Sequence, residues 1–237
     1  MIFAAGLGTR LKPFTDHHPK ALAQVNGKSL LERNVRFLYQ AGIREIVINT
    51  HHFADQVEAA VGLIAMPELT IHLSHEKDGP LETGGGLAYA RGFFKDDTEP
   101  FVVMNVDILT DISLPKMMQY HLAHRPLATL AVTNRDSSRK LLFDQDMQLA
   151  GWQNVNSGEF KWVKNEVEHR QAFAFSGIHI IDPAIFDLMP LSGKFSITDL
   201  YLEMAGEHKI LGFDHSGDLV LDVGKPESLE KAELLFV

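Results

Sequence analysis

The chain has 237 residues, 45% of them apolar, a formal net charge of −9 and no cysteine. That size and apolar content suffice for a packed core, while the missing cysteine excludes thiol nucleophiles, disulfides and cysteine metal sites. Acidic balance with scattered Lys and Arg argues against a nucleic-acid partner, and the lack of a signal-like start or a membrane-length apolar run leads to the expectation of a cytoplasmic protein with no membrane partner.

The apolar residues 2–5 read as a strand that opens into Gly6, Leu7, Gly8, Thr9 and Arg10, with Lys20 a few residues on. Bare backbone N–H groups after a strand form a nest for phosphate oxygens. Arg10 would fork onto those oxygens and Lys20 would act as a point charge. A Walker loop needs Gly-Lys-Ser/Thr after four intervening residues, and a dinucleotide loop needs a third glycine where Leu11 stands, so neither spelling fits.

Leu31, Val35 and Leu38, followed by Gly42, predict an amphipathic helix with a glycine stop. Strands are expected at 45–49, 69–73 and 100–106, and helices at 55–61, 87–93 and 115–124. This alternation implies a mostly parallel sheet whose ligands bind at the carboxyl ends of its strands. Beyond residue 128 the pattern turns to strands, at 128–132, 141–144, 148–152, 160–163 and 173–181. Helices are expected again at 183–188 and 197–205, then a strand at 219–223 and a helix at 226–235. Trp152 and Trp162 are expected to pack this half rather than stack a base. No repeat or linker breaks the chain, so one domain with an acceptor-binding lobe is expected.

Two aspartates stand at predicted strand ends, Asp107 after Phe101-Val102-Val103-Met104-Asn105-Val106 and Asp222 after Leu219-Val220-Leu221. A hard cation such as Mg²⁺ takes one or two carboxylates and completes its octahedron with phosphates and water. Pro80-Leu81-Glu82-Thr83-Gly84-Gly85-Gly86 forms a third feature, whose glycines are expected to let backbone approach a flat ligand ahead of a helix. Histidine pairs His17-His18 and His51-His52 point apart along the chain, and His121 with His124 lacks a third ligand, so zinc is not expected.

Residues 6–22, GLGTRLKPFTDHHPKAL, resemble the signature of the sugar-1-phosphate nucleotidyltransferases, the nucleotidyl transferase family, in spacing as well as residue type. The resemblance implies transfer of a nucleotidyl group from a nucleoside triphosphate to a sugar 1-phosphate, with pyrophosphate released and Mg²⁺ as cofactor. It implies an α/β fold with a three-layer, Rossmann-like, mixed and mostly parallel sheet flanked by helices, and a small β-rich acceptor lobe. One nucleotidyltransferase domain would span 1–237, with a nucleotide-binding half at 1–127 and a sugar-phosphate half at 128–237, working as a monomer or small homo-oligomer.

By the same resemblance Arg10 and Lys20 are catalytic, Asp107 and Asp222 hold the metal, and Ala4, Ala5, Gly6, Gly8, Thr9, Glu82, Thr83, Gly84 and Asn105 bind the nucleotide. Ser176 and Gly177, in Phe175-Ser176-Gly177-Ile178, lie under the sugar. Val106 replaces the family's usual glycine and Leu221 stands where an aromatic residue often lies. The Glu-Lys-Pro-like step whose lysine grips the sugar phosphate is missing, with Lys161 or Lys164 as substitutes. The spelling PLETGGG with FSGI points to UTP and N-acetylmuramate 1-phosphate, a cell-wall recycling substrate. GTP with mannose or heptose 1-phosphate is the alternative, and a non-catalytic nucleotide- or sugar-binding regulatory subunit is the reading from another class.

Overall fold

The computed structural model of the chain describes residues 1–94, 98–165, 169–190 and 192–236. In chain order its elements are β1 (Ile2–Phe3), β2 (Gln24–Val25), β3 (Lys28–Ser29), α1 (Leu30–Gln40), β4 (Glu45–Thr50), α2 (Ala54–Gly62), β5 (Thr70–His75), α3 (Glu82–Tyr89), β6 (Phe101–Asn105), β7 (Ile108–Thr110) and α4 (Leu114–His124). The second half continues with β8 (Ala128–Thr133), β9 (Arg139–Phe143), β10 (Leu149–Asn154), β11 (Glu159–Trp162), β12 (Gln171–Ile181), α5 (Ile185–Leu188), α6 (Ile197–Met204), β13 (Ile210–Asp214), β14 (Val220–Asp222) and α7 (Pro226–Leu235).

Ten strands share one mixed sheet in the order β11-β10-β9-β12-β6-β1-β4-β5, with β8 on β12 and β13 on β8. The strands β6, β1, β4 and β5 run parallel, and β12 joins β6 antiparallel. Successive side chains in each parallel strand go to opposite faces. Ile2, Ile46, Ile48, Val102 and Met104 pack with Leu31, Val35 and Leu38 of α1, Val57 of α2 and Met117 of α4. Phe3, Val47 and Val103 pack on the other face with Leu87 and Ala88 of α3 and Leu200, Tyr201 and Met204 of α6. The result is the expected layered α/β architecture, and each fully buried aliphatic side chain in it contributes about 1.5–3 kcal/mol.

Helix α1 begins as its sequence dictates, since the Ser29 hydroxyl accepts the Glu32 N–H at 3.1 Å. Helix α3 does not begin where its pattern suggests. It starts at Glu82 and runs through Gly84, Gly85 and Gly86, so the segment read as a loop ahead of a helix at 87–93 is itself helical. Residues 90–93 tighten into a 3₁₀ turn. Strand β13 was not expected from the pattern; it is held by parallel pairing to β8.

Strand β12 carries an irregularity that matters for the site. Its Phe175 faces Val132 and its His179 faces Leu130, so four steps on β12 oppose two on β8. The bulge holds Ser176 and Gly177, and Gly177 takes a φ of 69° that suits a residue without a Cβ.

Candidate active site

Strand β1 pairs on both edges, Phe3 with Asn49 of β4 and with Asn105 of β6, so three strand ends meet where β1 stops. The Ala4 N–H donates to Asn49 Oδ1 at 2.7 Å, which fixes the chain as it leaves the sheet. Gly8 then adopts a φ of 61°, and a Cβ on it would lie 2.9 Å from both Lys20 Cβ and Thr15 Cγ2. The Thr15 hydroxyl donates to the Gly8 carbonyl at 3.0 Å and the Leu11 N–H to the same oxygen at 2.8 Å. Three 3₁₀ turns, Thr9–Leu11, Phe14–Asp16 and Lys20–Leu22, bring the chain back so that Lys20 stands beside the glycine loop.

Lys20 Nζ pairs with Asp107 Oδ2. Asp107 follows β6, and Asn34 of α1 donates to the neighbouring Val106 carbonyl at 2.7 Å. The chain passes directly into β7, which pairs with β14 so that Ile108 faces Asp222, and the Val223 N–H donates to the Asp107 carbonyl at 2.8 Å. Asp107 and Asp222, 115 positions apart in sequence, thereby lie on neighbouring segments of backbone. A Cβ on Gly224 would lie 2.6 Å from Asp222 Oδ1 and 2.9 Å from Arg10 Nη2, which draws Arg10 into the same cluster. Asp222 Oδ1 is buried with no hydrogen-bond partner among the described residues. An anionic oxygen stripped of water and left unpaired suits a hard cation, so the donor set fits Mg²⁺ completed by phosphate oxygens. Val106 is 5% exposed and belongs to the apolar layer that includes Ile108 and Ala131, at the floor of the cleft.

A cleft of about 280 Å³ is lined by Phe3, Ala4, Gly6, Gly8, Thr9, Arg10, Lys20, Thr83, Asn105, Val106, Asp107 and Gly224. A second chamber of about 320 Å³ shares Phe3, Gly6, Gly8, Thr9 and Thr83 and extends to Ala5, Leu7, Asn49, Pro80, Glu82 and Lys194. Arg10, Lys20 and Asp107 thus gather at one end of the cleft. The other end is walled by the start of α3.

The triple glycine has a different physical reason from the one expected. A Cβ on Gly84 would overlap the Phe195 ring, and one on Gly85 would overlap the Gly193 carbonyl. One on Gly86 would lie 2.7 Å from Asn49 Nδ2 and Glu76 Oε1. The glycines admit the chain's own packing, and Gly84, assigned to the nucleotide, is buried against residues 193–195. Phe195 O accepts the Gly84 and Gly85 N–H groups at 3.0 and 3.2 Å, Phe195 N–H donates to Leu81 O at 3.2 Å, and Ile197 N–H donates to Thr83 Oγ1 at 3.1 Å. Beneath this clamp lies a fully buried carboxylate that the sequence pattern did not single out. Glu76 Oε1 accepts from Asn49 Nδ2 at 2.7 Å and its Oε2 from the Leu81 N–H at 2.8 Å. Through Asn49 it links the end of β1 to the start of α3.

On the acceptor side the two expected residues diverge. Gly177 backs onto the cleft, because a Cβ there would lie 2.6 Å from Asn105 Nδ2. Ser176 does not face the cleft; it is fully buried and its hydroxyl hydrogen-bonds His215 Nε2 at 2.8 Å. Burial pushes the His215 pKa down from its ordinary value. Lys161, a substitute for the missing lysine step, pairs with Asp199 at 2.9 Å, and that hydrogen bond raises its pKa. Arg10, Lys20, Ala4, Ala5, Gly6, Gly8, Thr9, Glu82, Thr83, Asn105 and Asp107 line the two chambers, with Asp222 behind Gly224. Asn49, Glu76, Lys194 and Gly224 were missed. Asn49 carried a signal, its place at a strand end, and Gly224 followed a chosen aspartate, whereas nothing local marked Glu76 or Lys194.

The sequence is 34% identical over 245 residues to N-acetylmuramate alpha-1-phosphate uridylyltransferase of Neisseria meningitidis serogroup B, covering 99% of this chain and 96% of the relative. It is 27% identical over 246 residues to the mannose-1-phosphate guanylyltransferase catalytic subunit beta of Drosophila melanogaster, and there the chain spans 62% of the relative's length. Among solved structures, HddC from Yersinia pseudotuberculosis complexed with GMP-PN superposes with a TM-score of 0.76 at 23% identity, covering 100% and 98% of the two chains. UDP-glucose pyrophosphorylase from Acinetobacter baumanii gives 0.80 at 16% identity, covering 99% and 91%, and both likenesses are of fold. The Nucleotidyl transferase profile matches residues 1–236, and on that match, with the 34% identical relative, the chain belongs to the nucleotidyl transferase family.

Proposed function

We propose that the chain transfers a nucleotidyl group from a nucleoside triphosphate to a sugar 1-phosphate, releasing pyrophosphate and forming an NDP-sugar. The observation that carries this reading is the convergence of Arg10, Lys20 and Asp107 on a single glycine-loop cleft, with Asp222 behind Gly224 at its charged end. A phosphate monoester loses its second proton near pH 6, so the attacking oxygen is anionic at neutral pH and no general base is required. What the reaction needs is in-line placement of two anions and neutralisation of the leaving group. Arg10 takes the leaving pyrophosphate through its planar fork, and Lys20 moves from Asp107 to the α-phosphate and the incoming phosphate. Asp107 and Asp222 would hold Mg²⁺, which supplies charge neutralisation and orientation of the phosphates. The glycine-loop amides hold the triphosphate, and the Pro80–Thr83 wall takes the nucleoside.

For substrates we infer UTP and N-acetylmuramate 1-phosphate in a cytoplasmic enzyme of cell-wall precursor chemistry. Support comes from the uridylyltransferase relative, which is the more similar of the two named above and matches this chain over nearly its whole length. GTP with mannose 1-phosphate is the second reading, favoured by the guanylyltransferase relative. Residues 1–127 are assigned mainly to the nucleotide and 128–237 mainly to the sugar phosphate. The test is pyrophosphate release with magnesium across UTP, GTP, CTP and dTTP against N-acetylmuramate, mannose, glucose and heptose 1-phosphates. Turnover on one pair, lost in Asp107→Ala, is the expected result. Silence across the grid with nucleotide binding retained would sink the transferase reading in favour of a non-catalytic binder.

A further inference from the structure

The bulge in β12 is held by a buried polar pair that the transfer chemistry does not use. Ser176 and His215 are both buried, and the Ser176 hydroxyl lies 2.8 Å from His215 Nε2. Burial pushes the His215 pKa down, against the pull of Asp218, Asp214 and Asp111 and with the help of Arg135. The imidazole is therefore neutral near pH 7, with one nitrogen a donor and the other an acceptor. Nδ1 stands 3.6 Å from Asp218 Oδ2 and has no hydrogen-bond partner among the described residues. The carboxylate favours the proton on Nδ1, which leaves Nε2 to accept from the Ser176 hydroxyl. Two apolar side chains would be buried at these positions without losing hydration. The directional bond is what the polar pair adds, and it admits one setting of the bulge.

His215 also stands where two walls of the cleft join. Its N–H donates to Val132 O at 3.0 Å, on the β8 residue that faces Phe175 beside the bulge. Its carbonyl accepts the Asp218 N–H at 2.9 Å, closing the turn that leads into β14 and Asp222. That turn is tied to β7, since the Leu219 N–H donates to Asp111 Oδ1 at 2.7 Å and the Thr110 hydroxyl to Leu219 O at 2.6 Å. On the other side the bulge presents Gly177 so closely to Asn105 that no Cβ fits between them, and Asn105 lines the cleft together with Asp107. A bulge beside a cleft re-aims the groups at its apex, so a slip of this one would be passed straight to Asn105. We propose that His215 is a positioning residue for the acceptor: through Ser176 it sets the β12 bulge, so that Gly177 and Asn105 seat the sugar 1-phosphate in line with the nucleotide. The proposal rests on the nucleotidyl-transfer reading and extends it to a buried side chain that lines neither chamber of the cleft.

The test compares wild type, Ser176→Ala, His215→Leu, their double variant and His215→Gln in steady-state pyrophosphate release with magnesium, alongside thermal melts. The substrates are the pair that wild type turns over, with UTP and N-acetylmuramate 1-phosphate tried first. Ser176→Ala and His215→Leu are each expected to raise KM for the sugar phosphate about tenfold and to leave KM for the triphosphate within about twofold. The double variant should be no worse than the more affected single one, because both changes remove the same bond. His215→Gln, whose amide oxygen can accept from Ser176 in place of Nε2, should recover most of the loss. A sugar-phosphate KM that stays at the wild-type value, or rises only in step with the triphosphate KM, would reduce the pair to a structural role and overturn the proposal, whatever the melting midpoints do. Should His215→Leu fail to fold, Ser176→Ala, which removes a single oxygen, decides alone. Failure of these variants to separate the two KM values leaves the transferase reading standing, whereas a wild type silent on every nucleotide and sugar-phosphate pair would overturn both.

Discussion

Asp222 concentrates the tension between stability and chemistry in one side chain. Its Oδ1 is desolvated and unpaired, an arrangement that disfavours the folded state unless a cation completes it. Asp222→Asn keeps the shape and removes the charge. It should leave the denaturation midpoint unchanged or raised in metal-free buffer, and lower magnesium-dependent turnover by about 10²–10³-fold, the scale of losing one preorganised electrostatic group. Parallel urea titrations and pyrophosphate-release rates check both halves; a variant that keeps full turnover would remove Asp222 from the metal set. That Arg10 and Lys20 stand at the same end of one cleft was legible, because their spacing lies in one long joint pattern from Gly6 to Lys20. The partner of the Ser176 hydroxyl was not legible, because a bulge turns it toward His215 and no local signal marks that turn.

Helix α3 is the element whose reading changed most, and the reason is tertiary. Three glycines in a helix are together unfavourable by about 2–3 kcal/mol relative to alanine, so propensity places its start after them. Packing against Phe195, Gly193, Asn49 and Glu76 leaves no room for side chains and overrides that preference. The parallel strands under the cleft were readable because their apolar runs are period-bound and long enough, whereas β13 needs β8 beside it to exist at all. Glu76 is the polar counterpart of the same packing. A carboxylate accepts from Asn49 and Leu81 at once; an amide in its place presents a donor to one of them. Glu76→Gln should therefore lower stability by about 1–3 kcal/mol and raise KM for the nucleotide more than it lowers kcat, because it loosens the nucleoside wall and not the charge cluster. Thermal melts and steady-state kinetics decide it, and an unaltered KM would detach Glu76 from the wall's geometry.

Across the whole molecule the cleft depends on contacts between distant parts of the chain, and acid should report on them. Residues 193–197 clamp α3, and Asp222 with Gly224 closes the charged end, so both come from the part of the second half that follows β12. Under this return path lies His179, on β12 two residues after Gly177, hydrogen-bonded through Nδ1 to the Tyr201 hydroxyl of α6 at 2.9 Å. Its Nε2 is buried without a partner, and burial holds its pKa down at about 3. Burial lowers those of His121 and His215 as well. In the unfolded chain these groups take up a proton near pH 6.5, while the folded chain resists doing so. Below that value the unfolded state binds more protons, so stability rises with pH up to about 6.5 and is lost as pH falls from there toward 3. His179 alone contributes up to about 1.4 kcal/mol per pH unit inside that window. Urea midpoints at pH 7.5, 6 and 5 should fall progressively in the wild type. In His179→Gln, which keeps an amide for Tyr201 and cannot titrate, the fall from pH 6 to 5 should be shallower by about 1 kcal/mol even though the protein starts less stable. Equal slopes in the two proteins would move the acid sensitivity away from the β12–α6 contact and onto other groups.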